Sequence, residues 1–157
     1  MIDNNLVEKI YKQDRRSIAR AISIIESNNS FTSEYLKKIH NKIGKAYRIG
    51  ITGPPGAGKS TITNQLTKLF RKQNKKIGII AVDPTSPFTG GALLGDRVRM
   101  TDIGMDDGVF IRSMATRGSL GGLSKKTIDA ADILDAAGFD TIIFETVGVG
   151  QSELDIA

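Results

Sequence analysis

Nine residues, GPPGAGKST at positions 53–61, constrain this chain more than any other stretch. Gly53, four intervening residues, Gly58, Lys59 and Ser60 complete the pattern G-x-x-x-x-G-K-S/T. The pattern carries meaning only between a strand and a helix. An apolar run, YRIGIT (47–52), precedes it, and Ile62, Leu66, Leu69 and Phe70 follow at helical spacing. Glycines let the backbone turn back and aim successive N–H groups into a concave nest. The positive end of the next helix adds to the field there, so a phosphate chain is held by many weak donors at once. The candidate phosphate-binding residues are therefore Pro55, Gly56, Ala57, Gly58, Lys59, Ser60 and Thr61. Lys59 is expected to reach the β- and γ-phosphates of a nucleoside triphosphate, as a catalytic as well as a binding group, and the Ser60 hydroxyl to bind Mg2+.

The flanking pattern extends this into a fold. Further apolar runs occur at KIGIIAV (76–82), GVFIRSM (108–114) and DTIIFET (140–146), and a helical pattern spans 123–137 before Gly138. Near-continuous apolar strands separated by helices predict a mostly parallel sheet with helices on both faces, an α/β fold of the P-loop NTPase type over 47–157. Residues 1–46 read as an N-terminal helical extension. In SIARAISII, Ile18, Ala21, Ile22 and Ile25 form one stripe, and Asp14 is placed to cap it. In FTSEYLKKIHNKIG, Thr32 is the expected N-cap, with Phe31 and Leu36 as a hydrophobic staple. Leu36, Ile39 and Ile43 continue that stripe, and Gly44 ends it. The single histidine, His40, reads as a packed or half-exposed helical residue rather than a catalytic one.

A P-loop needs acids to order Mg2+ and its waters. Asp83 ends the second strand, Asp96 lies in GGALLGDRVRM, and Glu145 ends the fourth strand. Ligands in an open parallel sheet sit beyond the carboxyl ends of the strands, which brings Asp83 and Glu145 toward the loop. Plainer roles stand beside these: Asp83 as a turn acid before proline, Asp96 as a helix N-cap. Glu145 is expected to do what an aspartate commonly does at such a strand end, with one more methylene of reach. Gly148 would then offer its N–H to the γ-phosphate, and loss of that phosphate would release the loop. Gln151 is a candidate for orienting the attacking water. Arg97, Arg99, Arg112 and Arg117 lie in glycine-rich stretches; each is a candidate for transition-state charge, against the commoner role of surface pairing.

Composition narrows the remaining classes. There is no cysteine, so no disulfide framework and no thiolate metal site. Hydrophobic residues make up 39%, and the longest apolar runs fall far below the roughly 20 residues needed to span a bilayer. The early acids and the lack of an apolar core at the N-terminus argue against a signal peptide, and a cytoplasmic location without membrane attachment is expected. The net charge of +5 arises entirely in residues 1–48, which hold ten Lys/Arg against five Asp/Glu; the remainder holds twelve of each. These basic residues stand singly and no aromatics interleave with them, which favours a solvated helical face over a nucleic-acid surface.

Four blocks together, RIGITGPPGAGKST, AVDPTSPFTGGALLGDRVRM, RSMATRGSLGGLS and IIFETVGVGQSE, closely resemble the MeaB/ArgK family of P-loop GTPases. The helical N-terminus resembles that family's extension. The resemblance implies a G protein that binds GTP or GDP with Mg2+, forms homodimers, and acts as chaperone and gatekeeper for an adenosylcobalamin-dependent methylmalonyl-CoA mutase or a related acyl-CoA mutase. By the same resemblance Lys59 and Ser60 match the P-loop pair, and Asp83, Asp96 and Glu145 match the Mg2+-associated acids. The family has also carried the label of an arginine/ornithine transport kinase, so an ATP-dependent kinase or ATPase linked to that transport is the alternative. The family's N-K-x-D guanine-reading motif does not occur between residues 1 and 157. The expectation is a chain truncated before the end of its domain, whose own residues do not specify guanine over adenine.

Overall fold

A computed structural model describes residues 4–27, 32–83, 101–115 and 124–146. Three helices come first: α1 (Asn4–Tyr11), α2 (Arg15–Glu26) and α3 (Thr32–Ile39), the last followed by a 3-10 turn at His40–Lys42. Then come β1 (Tyr47–Ile51), α4 (Lys59–Lys72), β2 (Ile77–Asp83), α5 (Thr101–Gly104), β3 (Val109–Ala115), α6 (Lys125–Ala136) and β4 (Thr141–Thr146). The four strands form one parallel sheet in the order β1-β4-β2-β3. β4, last in sequence, is inserted between β1 and β2 and is buried along its whole length, as the uninterrupted apolar run predicts.

Alternation along the strands sorts the side chains into two cores. Ile80, Val82, Phe110, Met114, Ile142 and Phe144 face α6 and the N-terminal helices. Ile77, Ile79, Val109 and Ile143 face α4 and α5 with Ile51 and Ile103. The first core is the larger because the extension belongs to it: Leu6, Val7, Ile10, Ile18, Ile22, Ile25 and Ile39 are buried with Ala130, Ile133 and Leu134 of α6. At Gly78 the sheet and α6 come so close that a Cβ would lie 2.8 Å from Leu134 Cδ1.

Polar ties hold the extension in register. Asp14 caps α2 as expected, its Oδ2 accepting from the Ser17 N–H at 2.8 Å, and that bond holds its carboxyl below the ordinary value. The buried Asp135 accepts from the N–H groups of Gly44 (2.8 Å), Lys45 (3.2 Å) and Ala46 (3.1 Å). Arg48 joins Asp135 at 3.3 Å and Asp132 at 2.6 Å. Burial alone would loosen the Arg48 proton, but the two carboxylates outweigh it and hold the guanidinium more firmly charged. On the opposite face, Arg71 binds Asp106 through Nε at 3.0 Å to each oxygen, and this pairing and the Gly108 N–H lower the Asp106 carboxyl pKa.

Three expectations need correction. Thr32 is the first residue of α3 rather than its cap, and its hydroxyl is buried without a partner; the proposed staple partner Phe31 lies outside the described residues. The buried face of α3 includes Tyr35, 9% exposed, which the Leu36 stripe omitted. On α4, Ile62 and Leu69 are half exposed, while Thr63 and Thr67 are fully buried and donate to the carbonyls of Lys59 and Thr63. Small residues that satisfy their own hydroxyls within the helix let α4 approach the sheet closely, at positions a hydropathy stripe passes over.

Candidate phosphate-binding site

The loop between β1 and α4 has the backbone that its glycines predict. Gly56 and Gly58 adopt φ of 77° and 83°, a left-handed conformation that a side chain would strain. Gly58 is also the N-cap of α4, and it supplies no side-chain cap. The first N–H groups of α4 therefore keep their donors for a ligand at the positive end of a 14-residue helix. Residues 54–57 are exposed, with Gly53, Gly58, Lys59 and Ser60 half-buried at the mouth. Lys59 curls back over the loop, donating to the carbonyls of Gly53 at 2.6 Å and Pro54 at 3.0 Å. Its ammonium is thus held within the cradle it is expected to serve.

Strand alternation delivers the acid. Phe144 points to the α6 core, so Glu145 points to the α4 side, in register with Ile51 on β1 and Ala81 on β2. There its Oε1 accepts from the Ser60 hydroxyl. Glu145 is 2% exposed, and its Oε2 is buried without a hydrogen-bond partner. A buried carboxylate oxygen left unsatisfied is costly, and the deficit marks a place for a cation or its water. Glu145 and Ser60 offer only oxygen donors, the set a Mg2+ ion takes, so the residues present fit the ion. Thr146, the next residue, is also buried, and its hydroxyl is 3.5 Å from the Ile51 carbonyl and from the Thr52 hydroxyl. By the same alternation Thr146 lies on the face opposite Glu145, so this pairing ties the end of β4 to the end of β1 rather than adding to the acid's surroundings. The sequence pattern did not single out either threonine.

Of the other candidates, Asp83 ends β2, two residues beyond the Ala81 that pairs with Glu145; nothing of its side chain is described. Asp96, Arg97, Arg99, Arg117, Gly148 and Gln151 lie outside the described residues. Arg112 takes the surface-pairing role: it donates to Ser23 at 3.0 Å and to Glu26 of α2, away from the phosphate loop. His40 is exposed on the 3-10 turn and is remote in sequence from every candidate site residue.

Residues 18–157 match the family model described as methylmalonyl-CoA mutase-associated GTPase MeaB. The chain belongs to the MeaB family. Among its relatives, a putative GTPase of Pyrococcus abyssi is 59% identical over 156 residues, covering 99% of this chain and 48% of the relative. The GTPase ArgK of Escherichia coli is 39% identical over 155 residues, 96% of this chain and 47% of its own length. The methylmalonic aciduria type A homolog, mitochondrial, of Mus musculus is 35% identical over 173 aligned residues, 99% of this chain and 42% of that protein. A crystal structure described as a LAO/AO transport system kinase superposes with a TM-score of 0.75 at 27% identity, covering 99% of this chain and 48% of that one. This MeaB-family chain spans about half the length of the relatives it matches. The α/β P-loop architecture with its helical N-terminus is the one expected from the sequence.

Proposed function

We propose that the protein carrying this chain binds and hydrolyses GTP with Mg2+ and acts as a chaperone and gatekeeper for an adenosylcobalamin-dependent methylmalonyl-CoA mutase or a related acyl-CoA mutase. The observation that carries the nucleotide chemistry is the contact of Ser60 with Glu145 beneath the uncapped start of α4. In this reading the N–H groups of the 53–61 loop bind the phosphate chain. Lys59 leaves the Gly53 and Pro54 carbonyls for the β- and γ-phosphoryl oxygens. Ser60 and Glu145, with Asp83 and Asp96 as further candidates, would hold Mg2+. When bound, the ion draws off charge that develops on the transferred phosphoryl group. Gly148 would read the γ-phosphate and Gln151 would place the water. The mutase partnership rests on the family's description as mutase-associated. A homodimer, a cytoplasmic setting, and division into an extension (1–46) and a nucleotide-binding unit (47–157) belong to the same reading. Among the described residues no helix is long and apolar enough to cross a membrane.

One observation favours a second reading, an ATP-dependent kinase linked to arginine or ornithine transport: the superposed crystal structure is described as a transport system kinase. Competition calorimetry of the native protein with GTP and ATP separates the two. A strong preference for GTP, together with co-purification of an acyl-CoA mutase whose activity survives longer in the protein's presence, is the expected result. Preference for ATP with phosphate transfer to a protein acceptor would establish the second reading instead.

A further inference from the structure

Two consecutive residues of β4 reach the two ends of the phosphate loop. Glu145 meets its exit, where Oε1 accepts from Ser60 in the first turn of α4. Thr146, on the opposite face of the strand, meets its entry. The backbone ladder between β1 and β4 ends at the pair Ile51–Glu145, whereas β4 stays paired with β2 for one more residue, to Val82–Thr146. β1 parts from β4 at this point to become the loop. Where the ladder stops, the Thr146 hydroxyl takes its place. It lies 3.5 Å from the Ile51 carbonyl and 3.5 Å from the Thr52 hydroxyl, a cross-strand pair of the kind that ties neighbouring strands. The next residue, Gly53, carries a carbonyl to which Lys59 donates at 2.6 Å. The strand end that Thr146 touches is therefore joined directly to the anchor of the loop's lysine.

Stability alone does not call for a hydroxyl here. Thr146 is 6% exposed, stands in register with the buried Val82, and shares its face with Ile142 and Phe144. Valine has the same shape and no polar atom to bury. Two contacts at 3.5 Å are too long to offset that burial in full. We propose that Thr146 is a positioning residue for phosphate binding. It fixes where β1 ends and the loop begins, while Glu145 fixes where the loop becomes α4. Thr146 touches no phosphate itself and acts through Thr52 and Gly53. The proposal rests on the phosphate-binding reading of residues 53–61.

The test compares two variants of the native protein. Thr146→Val removes the hydroxyl and keeps the shape; Thr146→Ser keeps the hydroxyl and removes a buried methyl group. The readouts are melting curves, calorimetric affinity for GTP and GDP with and without Mg2+, and amide NMR spectra of the ligand-free protein. Thr146→Val should melt within about 2 °C of the wild type or above it, yet bind both nucleotides roughly fivefold more weakly, by the same factor with and without Mg2+. Thr146→Ser should melt a few degrees lower and bind both as the wild type does. Without ligand, the amide signals of Thr52, Gly53, Gly56 and Gly58 should move in Thr146→Val and stay in place in Thr146→Ser. Unchanged affinity in Thr146→Val, equal weakening in the two variants, weakening only with Mg2+, or a loss of affinity that follows a fall in Tm overturns the proposal. A wild-type protein that binds neither nucleotide removes the functional reading instead. The ligand-free spectra then decide on Thr146 alone, and signals unmoved by Thr146→Val overturn its role as well.

Discussion

The hydroxyl of Ser60 donates to Oε1 of Glu145, joining the first turn of α4 to the end of β4, while Oε2 of the same carboxylate has no partner. One acid thus bridges the two elements that flank the candidate phosphate-binding loop and keeps one oxygen uncommitted. Glu145→Gln removes the charge and keeps the size. Melting of the ligand-free protein should hold or rise by a few degrees, because a neutral amide is cheaper to bury than a carboxylate. Turnover in the native protein should fall by roughly a hundredfold, with much less effect on nucleotide affinity. Thermal melts with and without Mg2+ and nucleotide, alongside steady-state hydrolysis, make the comparison. Turnover and Mg2+ dependence at wild-type values would shift the metal-side role to Asp83.

Lys59 donates to the carbonyls of Gly53 and Pro54, two contacts that the proposed phosphate-binding role requires it to give up. Both acceptors lie at the solvent-facing loop, so Lys59→Ala should leave the fold intact and Tm nearly unchanged. Triphosphate affinity should drop by about 2 kcal/mol or more, roughly thirtyfold, and hydrolysis should become unmeasurable. Circular dichroism paired with calorimetry checks both halves. A folded variant that still hydrolyses at a normal rate would remove the proposed site.

Gly78 has no room for a methyl group, since its Cβ would meet Leu134 Cδ1 at 2.8 Å. Gly78→Ala should cost about 1–3 kcal/mol by overpacking between β2 and α6. Adding Leu134→Val, which withdraws the offending methyl, should return part of that loss although Leu134→Val alone is destabilising. Denaturant unfolding of the two single variants and the double variant measures the coupling. Simple additivity would show that the strain is relieved elsewhere.

Asp129 on α6 is 9% exposed, and burial raises its carboxyl pKa, with Asp132 adding to the rise and Lys125 opposing it. A carboxyl whose folded pKa lies above its unfolded value supports folding fully below the unfolded pKa, and that support is lost as pH rises through the folded pKa. Asp129→Asn should therefore raise Tm at neutral pH, by about 2 °C. The advantage should shrink as pH is lowered through the folded pKa and vanish below about 4. A gain that persists unchanged at low pH would mean that the carboxyl's ionisation is not the cause.

The strands were legible because each is a short apolar run bounded by turn residues; KIGIIAV and DTIIFET give β2 and β4 nearly to the residue. The phosphate loop was legible because its conformation depends on glycines at fixed offsets, and Gly56 and Gly58 adopt it. What escaped depends on contacts far apart in sequence. The burial of Thr63 and Thr67 follows from how closely α4 meets the sheet, not from their polarity. Asp135 reads as an ordinary acid in a helical pattern, yet it accepts three backbone N–H groups some ninety residues upstream. No periodicity carries that information. Glu145 was legible in its place at the end of β4 but not in its partner, because strand alternation fixes its face while only the fold brings Ser60 to it.

The Asp135 clamp also has a practical consequence for anyone shortening this protein. A version started at Tyr47 would look tidy, since it begins at the first strand and keeps every residue of the phosphate loop. It would strip three N–H donors from a fully enclosed carboxylate and leave only Arg48 to answer it. It would also uncover the side of α6 that packs against α1–α3, opposite the side that lies on the sheet. The seam between helices and sheet at residue 46 is therefore a boundary of architecture, not a place to cut.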